Sequence, residues 1–217
     1  MTHQHPLMPS PAATGHANAR QPSSLGEAVM APPGLLPHQP ASISGATAQL
    51  IALEQARQEV IARLDIAPAA DDRMDQLARE MAERTGLAYG FVNIFWSQQT
   101  FIGLHQPPPD SGLIPVGRSM SRRHGWCPEV IARQRALPLP DVYASPRFAG
   151  NHVTDALGIR SYFGAPLIDT DTGIAWGTVC VIDPEPRPLR QAQHLLDIVK
   201  DTGTAVVQTL TATAPAR

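Results

Sequence analysis

From Ser44 onward, apolar residues recur at helical spacing: Leu50, Leu53, Ala56, Val60 and Leu64 fall close to one stripe, and Glu54, Arg57, Gln58 and Glu59 fill much of the remainder. The spacing predicts an amphipathic helix that ends before Pro68. Asp71 or Asp72 then offers a side-chain oxygen to free backbone N–H groups, and Met74, Leu77, Ala78 and Met81 line one face up to Gly86, so a second helix is expected. Residues 89–96 are rich in aromatic and β-branched side chains and, with residues 99–104 beyond a short turn at Ser97 and Gln98, read as a β-hairpin. Residues 106–120, with three consecutive prolines and two glycines, form a long connection of the kind that is functional or mobile. Pro128 stands where a first helical residue belongs, with Cys127 as N-cap, which predicts a short helix through Arg133 or Arg135. Residues 137–142 read as an edge strand, because Pro138 and Pro140 lack the N–H that a central ladder requires. Residues 160–168, the turn 169–173 and residues 174–182 make the clearest hairpin. Leu189, Leu195, Leu196, Ile198, Val199, Val206 and Leu210 mark a closing helix. This order supports an α+β fold, an antiparallel sheet with helices on its faces.

Composition changes the picture at the two ends. In residues 1–43, Pro, Ala, Ser, Gln and His dominate, and Arg20 and Glu27 are the charged side chains. Such a segment buries too little apolar surface to offset its conformational entropy, so a disordered tail is expected there, one domain over 44–210, and a second tail over 211–217. His3, His5, His16 and His38 are irregularly spaced without cysteine partners, which suits a passive tail rather than a metal site. The first residues lack the basic and apolar regions of a secretory signal, and no run approaches a membrane span. A cytoplasmic protein is expected. The net charge of −2, with both signs intermixed, leaves no electrostatic footprint for nucleic acid. Two cysteines, Cys127 and Cys180, are too few for a zinc cluster or a disulfide framework and fit a reduced compartment.

Several motifs then occur in order: Asp71-Asp72-Arg73-Met74-Asp75-Gln76-Leu77 at a helix start, Phe91-Val92-Asn93-Ile94-Phe95 at the first strand, and Gly125-Trp126-Cys127-Pro128-Glu129-Val130-Ile131 at the short helix. Pro146-Arg147-Phe148-Ala149-Gly150-Asn151, Gly158-Ile159-Arg160-Ser161-Tyr162-Phe163-Gly164-Ala165-Pro166-Leu167 and Gly177-Thr178-Val179-Cys180-Val181-Ile182-Asp183 follow. Together they resemble the GAF domain over residues 60–208. The resemblance implies a sheet of about six antiparallel strands, with the first and last helices packed together on one face and a ligand pocket on the other. It also implies a sensor or regulatory module that passes a signal onward. With only Thr, Ala, Pro and Arg after Leu210, that signal is expected to reach a separate output protein, such as a kinase or transcription regulator, or a second copy of the chain.

The expected pocket residues are Asn93, Phe95, Trp126, Cys127, Tyr143, Phe148, Tyr162 and Thr178, which combine apolar walls with a few fixed polar groups. Plain core packing is the alternative for several, Trp126 and Phe148 above all. Cys127, placed at a helix start near Arg122, Arg123 and His124, is the candidate for redox chemistry, and a small capping residue is the plainer reading. Cys180 reads as a core thiol, and a Cys127–Cys180 disulfide would need Cα atoms within about 7 Å. The cysteine set does not match family members that reduce free methionine sulfoxide, and the motif of the cyclic-nucleotide-binding branch is absent. His105 and His152 are conceivable haem ligands by analogy with haem- and bilin-binding members, although a lone loop histidine is more often solvated. Arg147 and Arg160 suit ion pairs with Asp155 or Asp183 better than an anion clamp. No cofactor follows from these residues and no metal site is expected. The apolar residues Leu50, Ile51, Val60 and Ile61 on the first helix, and Leu196, Val199, Val206 and Val207 on the last, predict a homodimer through the terminal helices. Three functions are therefore carried forward: a non-catalytic small-molecule sensor, a thiol redox sensor or thiol-dependent enzyme centred on Cys127, and a dimerisation scaffold without ligand.

Overall fold

The structure, a computed structural model, describes residues 44–214; the expected tail 1–43 and residues 215–217 lie outside them. Helix α1 spans Gly45–Arg63, with the Ser44 hydroxyl accepting a hydrogen bond from the Thr47 N–H. Helix α2, Asp72–Thr85, is capped by Asp71, and Gly86 closes it at φ +65°, a conformation glycine adopts without cost. Strands β1 (Tyr89–Phe95) and β2 (Gln99–His105) form the expected hairpin. The long connection after β2 ends in a two-residue strand β3 (Ser119–Met120) that pairs with Gln99 and Thr100. Helix α3 is Cys127–Arg133, with Trp126 as N-cap, so Cys127 is the first helical residue rather than the cap. The edge strand β4 covers Leu137–Leu139. Two short helices follow, α4 (Pro146–Ala149) and α5 (His152–Leu157), before β5 (Ser161–Ile168), β6 (Ala175–Asp183) and the closing helix α6 (Ala192–Thr213). Helix α6 thus runs past residue 210, where the expected tail begins.

The strands form one antiparallel sheet in the order β3-β2-β1-β6-β5-β4. Alternation along each strand sends side chains to two cores. On one face, Val92, Ile94, Phe163, Leu167, Val179 and Val181 meet α1, α2 and α6 through Val60, Met74, Met81, Leu195, Val199 and Val206. On the other face, Tyr89, Phe91, Tyr162, Cys180 and Ile182 meet α3 and its N-cap through Trp126, Cys127 and Val130, and α5 through Val153. Helix α2 lies unusually close to the hairpin beneath it. A Cβ at Gly90 would stand 2.3 Å from the Ala78 carbonyl oxygen, and one at Gly103 2.4 Å from that of Met74. Only glycine allows that approach at these two positions.

The terminal helices spend most of their apolar surface inside the chain. Val60, Ile61, Leu196, Val199 and Val206 are buried in the helix-face core, whereas Leu50 and Ile51 stand 68% and 44% exposed. Of the apolar residues expected to be in excess, Leu50 and Ile51 in the N-terminal half of α1 are the exposed ones, and Val207 of α6 is half-buried.

Candidate functional site

The face of the sheet opposite α1, α2 and α6 carries a cavity of about 240 Å3. Its floor is Phe91, Phe101, Tyr162, Cys180 and Ile182 from the strands. Trp126 and Cys127 at the start of α3 form one wall, and His152, Val153, Ala156 and Leu157 of α5 another. The roof is the end of the long connection, Pro115, Val116, Gly117, Ser119 and Met120. Among the described residues, no Lys, Arg, Asp or Glu lines the cavity.

The roof is held in place. Tyr89 Oη donates to the Ile114 carbonyl at 2.8 Å, and Gln106 Oε1 accepts from the Val116 N–H at 2.8 Å. The Arg118 guanidinium grips Asp75 of α2 with both terminal nitrogens, at 2.9 and 2.7 Å. Asp75 also accepts the Leu104 N–H, so one carboxylate joins α2, β2 and the roof.

Behind the cavity lies a buried polar cluster. Asn93 Nδ2 donates to Gln99 Oε1 at 2.8 Å and reaches Thr178 Oγ1 at 3.4 Å, while Asn93 Oδ1 accepts no hydrogen bond. Gln99 Nε2 donates to the Ser121 and His124 carbonyls, both at 2.8 Å. These bonds fix the loop that leads into Trp126 and Cys127. The same loop is held from the opposite side by Arg122, which pairs with both oxygens of Glu54 on α1 at 2.7 Å each and lies over the Phe95 ring at 5.4 Å. Glu54 also binds Arg57, itself buried and donating to the Ala175 carbonyl at 2.8 Å.

Two thiols converge at the floor. Cys127 Sγ lies 3.6 Å from Cys180 Sγ and 3.4 Å from Tyr162 Oη. The hydrogen bond from Cys180 holds the Cys127 thiol down to about 7 from an ordinary 9.0; burial opposes this, and Thr178, Tyr162 and Asn93 add to it. Cys180 is driven well above the usual thiol value, first by its hydrogen bond to Cys127 and then by burial. Burial, followed by the neighbouring sulfurs, pushes Tyr162 up as well. The ring can reach Cys127 because position 164 has no side chain: a Cβ there would stand 2.0 Å from Tyr162 Oη.

The expected site residues separate into three groups. Trp126, Cys127 and Tyr162 line the cavity. Asn93 and Thr178 form the polar cluster behind it, and Phe95 supports Arg122. Tyr143 does not line this cavity: it is 52% exposed in the 3-10 turn after Asp141, with the Arg160 guanidinium over its ring. Phe148 is half-buried beside the site, where its carbonyl accepts the Trp126 indole N–H at 3.2 Å while Arg147 covers its ring. Arg160 pairs with Asp141, and Arg147 with Glu129, rather than with Asp155 or Asp183. His152 lines the cavity and lies against His124, with ring centroids 4.3 Å apart and planes tilted by 32°. His105 ends β2 away from the cavity, where burial and then Arg79 hold its imidazole below the ordinary value. Gln99, Glu54 and α5 were not singled out by the sequence, although Asn151 and Gly158 do mark the ends of α5. Among the described residues, no group of three His, Cys, Asp or Glu side chains could hold a metal ion, and no helix is long and apolar enough to cross a membrane.

Over 71 residues, 32% of this chain, the sequence is 39% identical to a cyclic di-GMP phosphodiesterase of Pseudomonas aeruginosa, and the match spans 12% of that protein. The fold is similar to that of a type II free methionine-R-sulfoxide reductase from Thermoplasma acidophilum, at 8% identity and a TM-score of 0.50, covering 75% of this chain and 97% of that one. It is equally similar, at 14% identity and a TM-score of 0.50, to the phycocyanobilin-bound GAF domain from a cyanobacterial phytochrome, covering 75% and 96%. Identities this low speak of fold alone. Residues 70–210, more than half of the sequence, match the GAF domain. The chain belongs to the GAF domain family.

Proposed function

We propose that this chain is a non-catalytic regulatory GAF domain that senses a small, uncharged, partly aromatic molecule in the cavity under the roof at residues 115–120. The observation that carries the reading is the double attachment of the loop at residues 121–126. One side of that loop walls the cavity, and the other is bound to α1 through Arg122 and Glu54. A molecule that presses on Trp126 therefore acts on a segment tied directly to a terminal helix. The lining supplies aromatic faces and a few polar groups, with no Lys or Arg among the described residues to clamp an anion, which selects against phosphates and carboxylates. The volume lies below the roughly 300–1,000 Å3 of drug-sized ligand pockets, so it suits a small metabolite and is too small for a tetrapyrrole. A signal requires that the ligand bind the two loop positions with different affinity. The receiver is a second copy meeting the exposed Leu50 and Ile51 of α1, or a separate output protein such as a kinase or transcription regulator.

A thermal-shift screen of small neutral metabolites, run in parallel on the wild type and an Ala156→Trp variant that fills the cavity from α5, tests this reading. A ligand at about a hundred times its Kd stabilises by about 2.7 kcal/mol, roughly 5–10 °C for a chain of this size. Hits that shift the wild type and leave the filled variant unmoved support the cavity as the site. Hits that shift both proteins equally place binding elsewhere.

A further inference from the structure

We propose that Cys127 and Cys180 are a dithiol oxidation site, which a small hydroperoxide entering the cavity converts to an intramolecular disulfide joining α3 to β6. This inference does not depend on the identity, or the existence, of a metabolite ligand. It rests on two placements that the sequence left open, since 53 positions separate the cysteines.

The first placement is proximity. The sulfurs stand 3.6 Å apart, close to van der Waals contact, so a bond of about 2.05 Å requires a shift of roughly 1.5 Å shared between one helix start and one strand. Cys127 heads a short helix that rests on the sheet, and this helix can yield. Cys180 cannot, because it sits in β6 between Phe91 of β1 and Gly164 of β5. The second placement is access. Both cysteines line the cavity although each is only 4% exposed, so an oxidant reaches them through the cavity rather than from bulk solvent. An ordinary core thiol pair has no such approach.

The surroundings assign different roles to the two sulfurs. Tyr162 Oη is 3.4 Å from Cys127 and can donate to that sulfur, whereas Cys180 Sγ meets the Cys127 sulfur at 3.6 Å. Cys127 is therefore the sulfur that carries negative charge and attacks, and Cys180 keeps its proton until the second step. In the first step the Cys127 thiolate attacks the terminal oxygen of the hydroperoxide and the O–O bond breaks. This leaves a sulfenic acid on Cys127, while the departing alkoxide takes up a proton to become an alcohol. In the second step the Cys180 sulfur attacks Cys127 Sγ and the S–O bond breaks. The hydroxide leaves with the Cys180 proton as water. Two thiols and one hydroperoxide thus give one disulfide, one alcohol and one water, and a cellular thiol reverses the reaction by exchange.

The disulfide draws the start of α3, and Trp126 with it, toward the sheet. It alters the cavity wall and the loop that Arg122 ties to α1.

The test uses the full chain, reduced and then freed of reductant, exposed to hydrogen peroxide and alkylated after denaturation. The wild type is expected to lose both alkylatable thiols, with a mass lower by two hydrogens, and to regain them on reduction. Cys180→Ala should stop at a Cys127 sulfenic acid that dimedone captures. Cys127→Ala should leave Cys180 unoxidised at the same dose. The wild-type result needs no variant to fold. Two free thiols remaining in the wild type at a peroxide dose that oxidises Cys127 in the Cys180→Ala variant would overturn the proposal. A disulfide between two chains in place of the internal one would overturn it equally.

Discussion

A single thiol shows how far its neighbours determine its chemistry. Cys127 heads a seven-residue helix, and its low value of about 7 comes first from the Cys180 hydrogen bond, with Thr178, Tyr162 and Asn93 adding to it against burial. Because the thiolate is the nucleophile, alkylation by iodoacetamide should accelerate as pH rises and level off above a midpoint near about 7. In Cys180→Ala the midpoint should move up toward the ordinary 9.0. A wild-type midpoint already near that value would show that the two sulfurs do not share a hydrogen bond. Gly164 contributes through the side chain it lacks. Gly164→Ala puts a methyl group where Tyr162 Oη now lies and should cost about 1–3 kcal/mol as the ring is displaced, measured by urea denaturation. An unchanged midpoint of unfolding would mean that the ring has room to move.

At the scale of elements, close approach and buried charge hold the layers together. Gly90→Ala and Gly103→Ala each drive a Cβ into an α2 carbonyl, and each should destabilise by about 1–3 kcal/mol without altering the cavity lining. Glu54→Gln leaves Arg57, 5% exposed, without its carboxylate and releases Arg122, at an expected cost of about 2–3 kcal/mol. Hydrogen exchange should then quicken at residues 121–126 as well as in α1; quickening in α1 alone would deny that the two are coupled. The long elements were legible because each repeats its apolar period several times, as α2 does from Met74 to Met81 and β6 does with Val179 and Val181 inside and Cys180 and Ile182 opposite. Helices α4 and α5 were not, because four and six residues are too few to complete an amphipathic repeat. The site was half legible for a related reason. Trp126 and Tyr162 announce themselves as large side chains in recognisable motifs. Gln99 and Glu54 act through partners that only the folded register supplies, with Gln99 set opposite Phe95 by the β1–β2 ladder.

For the molecule as a whole, the exposed Leu50 and Ile51 and the cavity beneath residues 115–120 are the two surfaces on which a partner and a ligand can act. If a second copy covers Leu50 and Ile51, the paired change Leu50→Glu with Ile51→Glu should convert a dimer to a monomer in light scattering while leaving far-UV circular dichroism unchanged. A wild type that is monomeric at high concentration would assign the patch to a different partner. A ligand in the cavity is expected to be felt at the loop bound to α1. The most direct test of that coupling is a proton–nitrogen NMR titration of the reduced protein with the hits of the thermal-shift screen. Trp126 carries an indole N–H on the cavity wall, Trp176 carries one on the opposite face of the sheet, and Arg122 reports the link to Glu54. Saturable movement of the Trp126 and Arg122 side-chain signals with Trp176 stationary is the expected result. Ligands that bind and leave Trp126 unmoved, or that move Trp126 without Arg122, would contradict it.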